Sequence, residues 1–240
     1  MTTPPFFNTR VLPDIPIEEV EKLIDHEALF AGRWQLRQGA DAAQWERMRR
    51  EKAEPILARL MSGPRSSGMM TPKLVYGHFK CCKLGNGLVV EGGTRSFKFD
   101  FPRERQLPHR CLADLFDAGF ITMQVATVGD GAAKAAAERF AAGMYAEAFY
   151  IKGLAAALAE ATAVYGHVLI REELGVAVDA GERFSPGYPV FPDLMDQRKI
   201  FALLAPSRIG VALTETCQMV PEYSTSAIIS IDPKAEYFRP

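Results

Sequence analysis

The stretch from Leu74 to Phe101, LVYGHFKCCKLGNGLVVEGGTRSFKFDF, is where the periodicity of the chain changes and the fold is decided. Before it, apolar residues recur every three or four positions. Within it they recur every second one. A strand points successive side chains to opposite faces, so a period of two marks strands with one buried face. Leu74–Phe79 and Leu88–Glu91 read as the two arms of a hairpin around Gly85-Asn86-Gly87, because Asn-Gly accepts the positive φ of tight hairpin turns. Phe97, Phe99 and Phe101 alternate with polar residues and predict a further strand. Ile121, Met123 and Val125 predict another half-buried one.

Upstream, residues 1–16 are rich in proline and polar groups and read as an extended arm. Asp14, Pro16, Glu18 and Glu19 mark a helix start. Ile17, Val20, Leu23 and Ile24 follow at helical spacing, which predicts a helix from 17 to between 25 and 30. A second, strongly charged helix is expected over 41–61, with Pro55 as a break. These make a helical part, 17–62. Gly63 to Pro72, with two glycines, two prolines and paired serines, reads as a linker. Downstream, residues 132–142 and 144–173 are alanine-rich and helical in pattern. Gly181 to Pro192 is a second break, followed by a short helix at 196–204 and a last strand at 224–231. Strands flanked by helices without regular β-α alternation predict an α+β fold, with 17–240 as a single domain.

The chain has 240 residues, 48% apolar and 24% charged, with a net charge of −1. That balance argues against a broad non-specific nucleic-acid surface. There is no unbroken run of eighteen apolar residues, so no membrane span is expected. Met1 to Arg10 lacks a signal pattern, so a cytoplasmic location is expected. The four cysteines, Cys81, Cys82, Cys111 and Cys217, are then expected as free thiols.

Four groups of residues invite a chemical reading. Gly129-Asp130-Gly131-Ala132-Ala133-Lys134 lies between a strand and a helix, where a phosphate can sit, but the third glycine of a dinucleotide fingerprint is missing. It reads as a tight turn. His78, Cys81, His109 and Cys111 are zinc-ligand types at spacings that form no strong zinc pattern. Cys111 beside His109 has the types of a nucleophile and base, without an electropositive setting. The fourth group is Arg183-Phe184-Ser185-Pro186-Gly187-Tyr188-Pro189-Val190-Phe191-Pro192-Asp193. Prolines fix φ in this loop, and Gly187 permits a backbone conformation that other residues resist. Arg183 is suited to gripping a carboxylate and Tyr188 to stacking on a base or sugar. A structural turn with a surface arginine is an equal reading of the composition.

That loop resembles the R-x-x-x-G-Y-P motif of the activation domain of cobalamin-dependent methionine synthase. The resemblance continues through Lys199–Leu204, Ile209–Glu215, Pro221–Ile228 and Pro233–Phe238, and upstream through Ile24–Phe30, Tyr76–Phe79, Phe101–Arg103, Arg110–Asp114 and Val125–Gly129. It covers about residues 17–239. It implies a bent antiparallel sheet flanked by helices that binds S-adenosylmethionine. It also implies that Arg183 holds the ligand carboxylate, that Asp25 and Glu160 are acidic ligand contacts, and that Tyr188 and Tyr237 line the site. The implied role is reductive remethylation of cob(II)alamin on a partner corrinoid protein, with a flavodoxin-like electron donor and no turnover by this chain alone.

Two departures stand out. The family loop usually reads G-Y-P-x-C-P, and Phe191 occupies the cysteine position here. The homocysteine, folate and cobalamin domains do not fit into 240 residues, so the expectation is a subunit of a split methionine synthase or an activator of a different corrinoid methyltransferase. Rival readings are a corrinoid docking module without ligand binding and a free-standing small-molecule methyltransferase.

Overall fold

The computed structural model describes residues 3–240, apart from the side chains of residues 64–67. The N-terminal arm contains β1 (Thr9–Leu12), which pairs antiparallel with β2 (Lys73–Leu84), Thr9 opposite Gly77. A Cβ on Gly77 would stand 2.6 Å from the Asn8 carbonyl oxygen, so only glycine lets the arm come this close. β2 turns through Gly85-Asn86 into β3 (Gly87–Gly92), with Leu84 opposite Gly87, as the Asn-Gly signal dictates. β4 (Arg95–Asp100) follows, and the sheet is completed by β5 (Phe120–Thr127), β6 (Glu182–Phe184) and β9 (Ser224–Ser230). Its order is β4-β3-β2-β5-β9-β6, antiparallel throughout. A separate two-stranded ribbon joins β7 (Ala212–Leu213) to β8 (Met219–Val220).

β5 differs from its expected half-buried state, since every residue in it is buried. The reason is that helices cover both of its faces. α4 (Gly131–Ala141) and α5 (Tyr145–Leu174) lie on one side and α6 (Gln197–Leu204) on the other. Neighbouring residues accordingly feed different cores. Leu74, Tyr76 and Ala126 join the α5-side cluster, while Val75, Val125 and Ile228 join the α6-side cluster. By length and composition α5 could cross a membrane. Its Ala155, Leu158, Thr162 and Gly166 are instead buried in this domain. A Cβ on Gly166 would stand 2.5 Å from the side chain of Gln124, which shows how closely the helix rides on β5.

The helical N-terminal part is more broken than its periodicity predicts. α1 (Ile17–Glu21) is short, and a π-helical turn, Ala28–Arg33, follows it. α2 (Ala42–Met48) starts at a capping box made by Asp41 and Gln44. A second π-helical turn, Arg49–Ala53, leads into α3 (Glu54–Ser67). Pro55 therefore sits in the first turn of a new helix, where its missing N–H costs little. α3 runs through Gly63 to Ser67, so the linker expected at 63–72 shrinks to Gly68–Pro72. Buried Leu60, Met61 and Met70 hold both ends of that connection against the core.

Candidate functional site

A cleft of about 530 Å³ opens where β6 ends beside β9. Gly181 sets up the approach: its φ is +78°, and a Cβ there would stand 2.0 Å from the Ser230 carbonyl oxygen. The chain then enters β6 with Arg183 opposite Ile229 and Phe184 opposite Ile228. The next residues form the stiff loop. Gly187, at φ +94°, donates its N–H to the Phe191 carbonyl, and the Phe191 N–H returns to the Tyr188 carbonyl, each at 2.8 Å. Phe191 is fully buried, with its ring centroid 5.2 Å from Phe101 and 6.1 Å from Phe99. The phenylalanine at the family's cysteine position thus anchors the loop in the α6-side core.

This anchoring leaves Tyr188 standing at the mouth, 55% exposed. Tyr237 faces it edge-on, with centroids 6.3 Å apart, and leans on Phe184 at 5.1 Å. Burial pushes the Tyr237 phenol above its ordinary pKa, while the Ser185 backbone N–H works in the opposite direction. On the α5 side, Glu160 meets Arg183 with Oε1 2.5 Å from Nη2. The guanidinium side chain is mostly covered (18% exposed) and the carboxylate half exposed (50%). Arg183 also donates its backbone N–H to Glu182 Oε1 at 2.7 Å. His167, two turns along α5 from Glu160, is buried. Burial, with smaller contributions from Arg171 and Arg183, lowers its pKa to about 3, so it stays neutral.

Glu160, Arg183, Tyr188 and Tyr237 are therefore brought to one cleft from three separate segments, α5, β6 with its loop, and the C-terminal tail. Asp25 is not among the lining residues. Its Oδ1 accepts the Ala28 N–H at 2.9 Å and starts the first π-helical turn. Gln197 and Ser226, neither of them singled out as a site residue from the sequence, form part of the cleft wall. Both are buried, and Ser226 Oγ donates to Gln197 Oε1 at 3.1 Å. They meet because α6 packs on β5 and β2, which brings its first residue beside the neighbouring strand β9.

The other candidate groups have local structural roles. At the Gly129–Lys134 turn, a Cβ on Gly131 would stand 2.4 Å from the Met69 carbonyl oxygen, so the glycine permits close packing. His78 is fully buried and hydrogen-bonds Thr122 at 2.8 Å through Nδ1, while His109 Nδ1 lies 3.0 Å from the Glu104 carbonyl oxygen. Among the described residues no three of His, Cys, Asp and Glu gather as a metal set. Burial pushes the Cys81 thiol up to about 12 and also raises that of Cys111, so neither is poised as a thiolate.

The architecture is an α+β domain with a charged, tyrosine-flanked cleft at a sheet edge. The chain matches the vitamin B12-dependent methionine synthase activation domain over residues 16–239 and belongs to that family. It is 31% identical to the methionine synthase of Mycobacterium tuberculosis (strain ATCC 25618 / H37Rv) and 29% identical to that of Mycobacterium leprae (strain TN), over 98% of its own length in each case. It spans 23% of the length of either relative. Its fold matches a crystal structure of the MetH reactivation domain bound to AdoHcy with a TM-score of 0.84 at 22% identity, covering 99% of this chain and 82% of that one.

Proposed function

We propose that the cleft binds S-adenosylmethionine and that the chain supports reductive remethylation of cob(II)alamin carried by a partner corrinoid protein or domain of a methionine synthase. The observation that carries this reading is the Arg183–Glu160 pair at the tyrosine-flanked mouth. An amino-acid headgroup is a zwitterion, and it can enter such a pair by exchange. Its carboxylate takes the planar guanidinium, and its ammonium takes the released carboxylate. Net charge agrees. Glu160, Glu182 and Arg183 leave the cleft at −1, against a ligand whose carboxylate, ammonium and sulfonium sum to +1. Tyr188 and Tyr237 offer aromatic faces to the nucleoside. The neighbour's bound AdoHcy is the product that this methyl donor leaves behind, which supports the same reading.

A cobalamin held by the partner, with an electron from a flavodoxin-like donor, would supply the metal centre that takes the sulfonium methyl. The work of this chain is positional. Arg183 and Glu160 fix the amino-acid end, the tyrosines fix the nucleoside, and the ligand is presented at the cleft mouth to the partner. No side chain here has to move a proton.

Calorimetric titration with S-adenosylmethionine tests the reading. Wild type is expected to bind, and Arg183→Ala to lose at least tenfold in affinity, because it removes a charge-assisted bond and leaves Glu160 unpaired. No heat and no thermal shift with wild type would overturn the methyl-donor role of the isolated chain.

A further inference from the structure

The wall of the cleft holds a polar group that the reading above does not use. Gln197, the first residue of α6, lines the cleft and is 5% exposed. Its carbonyl oxygen accepts from Ser226 Oγ at 3.1 Å. Its amide nitrogen has no protein partner among the described residues. That N–H₂ is not sealed from solvent, so its donors stand open in the cleft, free to meet water or an acceptor on a ligand.

Its place in the cleft indicates what that acceptor belongs to. Arg183 is in register with Ile229 on β9, and Ser226 lies three residues back along the same strand. At about 3.3 Å per residue, that is roughly 10 Å from the Arg183 position. β6 pairs with β9 only as far as Phe184 opposite Ile228. Residues 224–227 of β9 therefore have β5 on one side and no strand on the other. Ile229 faces the α5-side core and Ser226, in phase with Ile228, the α6 side, so the cleft wraps this open edge with the ion pair on one side of it and Gln197 on the other. In S-adenosylmethionine the carboxylate is separated from the ribose by Cα, Cβ, Cγ, the sulfur and C5′. With the carboxylate on Arg183, the nucleoside extends towards Gln197.

We infer that Gln197 is a specificity-determining residue of the cleft, its free amide N–H₂ donating to an acceptor on the nucleoside of the ligand while Ser226 holds the amide in that orientation. The inference rests on reading the cleft as an S-adenosylmethionine site and adds which part of that ligand is recognised where. Gln197 touches no reacting atom, so its effect is on binding. It also sets the ligand class: a nucleoside-bearing amino acid is held at both ends, whereas methionine alone fills only the Arg183 end.

The test is calorimetric titration of wild type, Gln197→Met, Ser226→Ala and Arg183→Ala with S-adenosylmethionine, adenosine and methionine, the fold of each variant being checked by near-UV circular dichroism. Gln197→Met is expected to lose about tenfold in affinity for S-adenosylmethionine and for adenosine, as for one buried hydrogen bond, and to keep the wild-type response to methionine. Ser226→Ala is expected to lose less, since it only frees the amide to rotate. Arg183→Ala is expected to show the reverse pattern, with adenosine binding unchanged. If Gln197→Met does not fold, Gln197→Glu keeps the shape without the donor and carries the same expectation. A folded Gln197 variant that binds S-adenosylmethionine as wild type does would overturn the assignment and leave the functional reading intact. Wild type binding adenosine in a Gln197-dependent way, but not S-adenosylmethionine, would overturn the functional reading and leave the nucleoside contact standing. Wild type that binds neither overturns both.

Discussion

Replacing Phe191 by cysteine, the residue usual in the family, tests whether the cleft is held in shape from the α6-side core. Phe191 is fully buried against Phe99 and Phe101, and its backbone closes the Gly187–Phe191 turn in both directions. Phe→Ala in a packed core costs about 3–5 kcal/mol, from lost transfer energy and the cavity left behind. A thiol refills only a small part of that space, so Phe191→Cys should cost about 3 kcal/mol. With a urea m-value of about 2 kcal/mol/M, the unfolding midpoint should fall by about 1.5 M. The loop that places Tyr188 and Pro186 loses its anchor as well, so S-adenosylmethionine affinity should fall at temperatures where the variant is still folded. Urea unfolding followed by fluorescence, with titration of the folded variant, reads both effects. An unchanged midpoint would refute the packing argument. A lowered midpoint with unchanged affinity would show that the loop keeps its shape without its anchor.

Three further outcomes follow from burial, charge and backbone geometry. The His167 pKa is depressed to about 3 in the folded chain against 6.5 for a free histidine, so its contribution to stability is complete above 6.5 and is lost as pH falls towards 3. Urea midpoints between pH 7 and 4 should fall more steeply for wild type than for His167→Leu, which has no such group to titrate. The carboxyl of Asp114 is held near 2 by hydrogen bonds from Arg103, opposed by burial and reinforced by Lys83. Its stabilising contribution is therefore present above about 4 and lost as pH falls towards 2, and Asp114→Asn should flatten the acid limb of the stability curve over that window. Gly181→Ala puts a Cβ 2.0 Å from the Ser230 carbonyl oxygen at a positive φ. It should cost about 1–3 kcal/mol or more and weaken ligand binding by shifting Arg183, which thermal unfolding and titration would show.

The sheet was legible wherever its pattern is local. The Asn-Gly turn and the alternating phenylalanines mark strands with one face on a core, and those strands form where the pattern puts them. β5 was misjudged because only α4, α5 and α6 closing over both faces bury it fully, and that is a tertiary fact. The N-terminal helices were drawn too continuous because apolar spacing does not distinguish an α-helical from a π-helical turn. Within the cleft, Arg183 and Tyr188 announce themselves through proline and glycine spacing, whereas Glu160 is one exposed carboxylate on a long alanine-rich helix. Gln197 and Ser226 were not singled out as site residues, since their significance lies in a contact between segments 29 residues apart.

The shortness of β6 links the fold to the proposed chemistry. An open strand edge with free N–H and C=O groups is a hazard, because it invites pairing with another chain. β6 covers β9 for three residues and then gives way to a proline-rich loop, which leaves the edge at 224–227 uncovered by any strand. Proline cannot donate to a ladder, so Pro186 and Pro189 prevent the loop from extending the sheet along that edge. The unfilled space is the cleft. An elongated ligand with an amino-acid group at one end and a nucleoside at the other can lie along it, and the tyrosines bracket its mouth. On this view the loop motif matters for ending the strand as much as for any contact it makes. Pro186→Val should therefore lengthen β6 and narrow the cleft, raising protection of the Ser226 amide from hydrogen exchange while lowering S-adenosylmethionine affinity. Unchanged exchange at Ser226 would mean that something other than proline keeps that edge open.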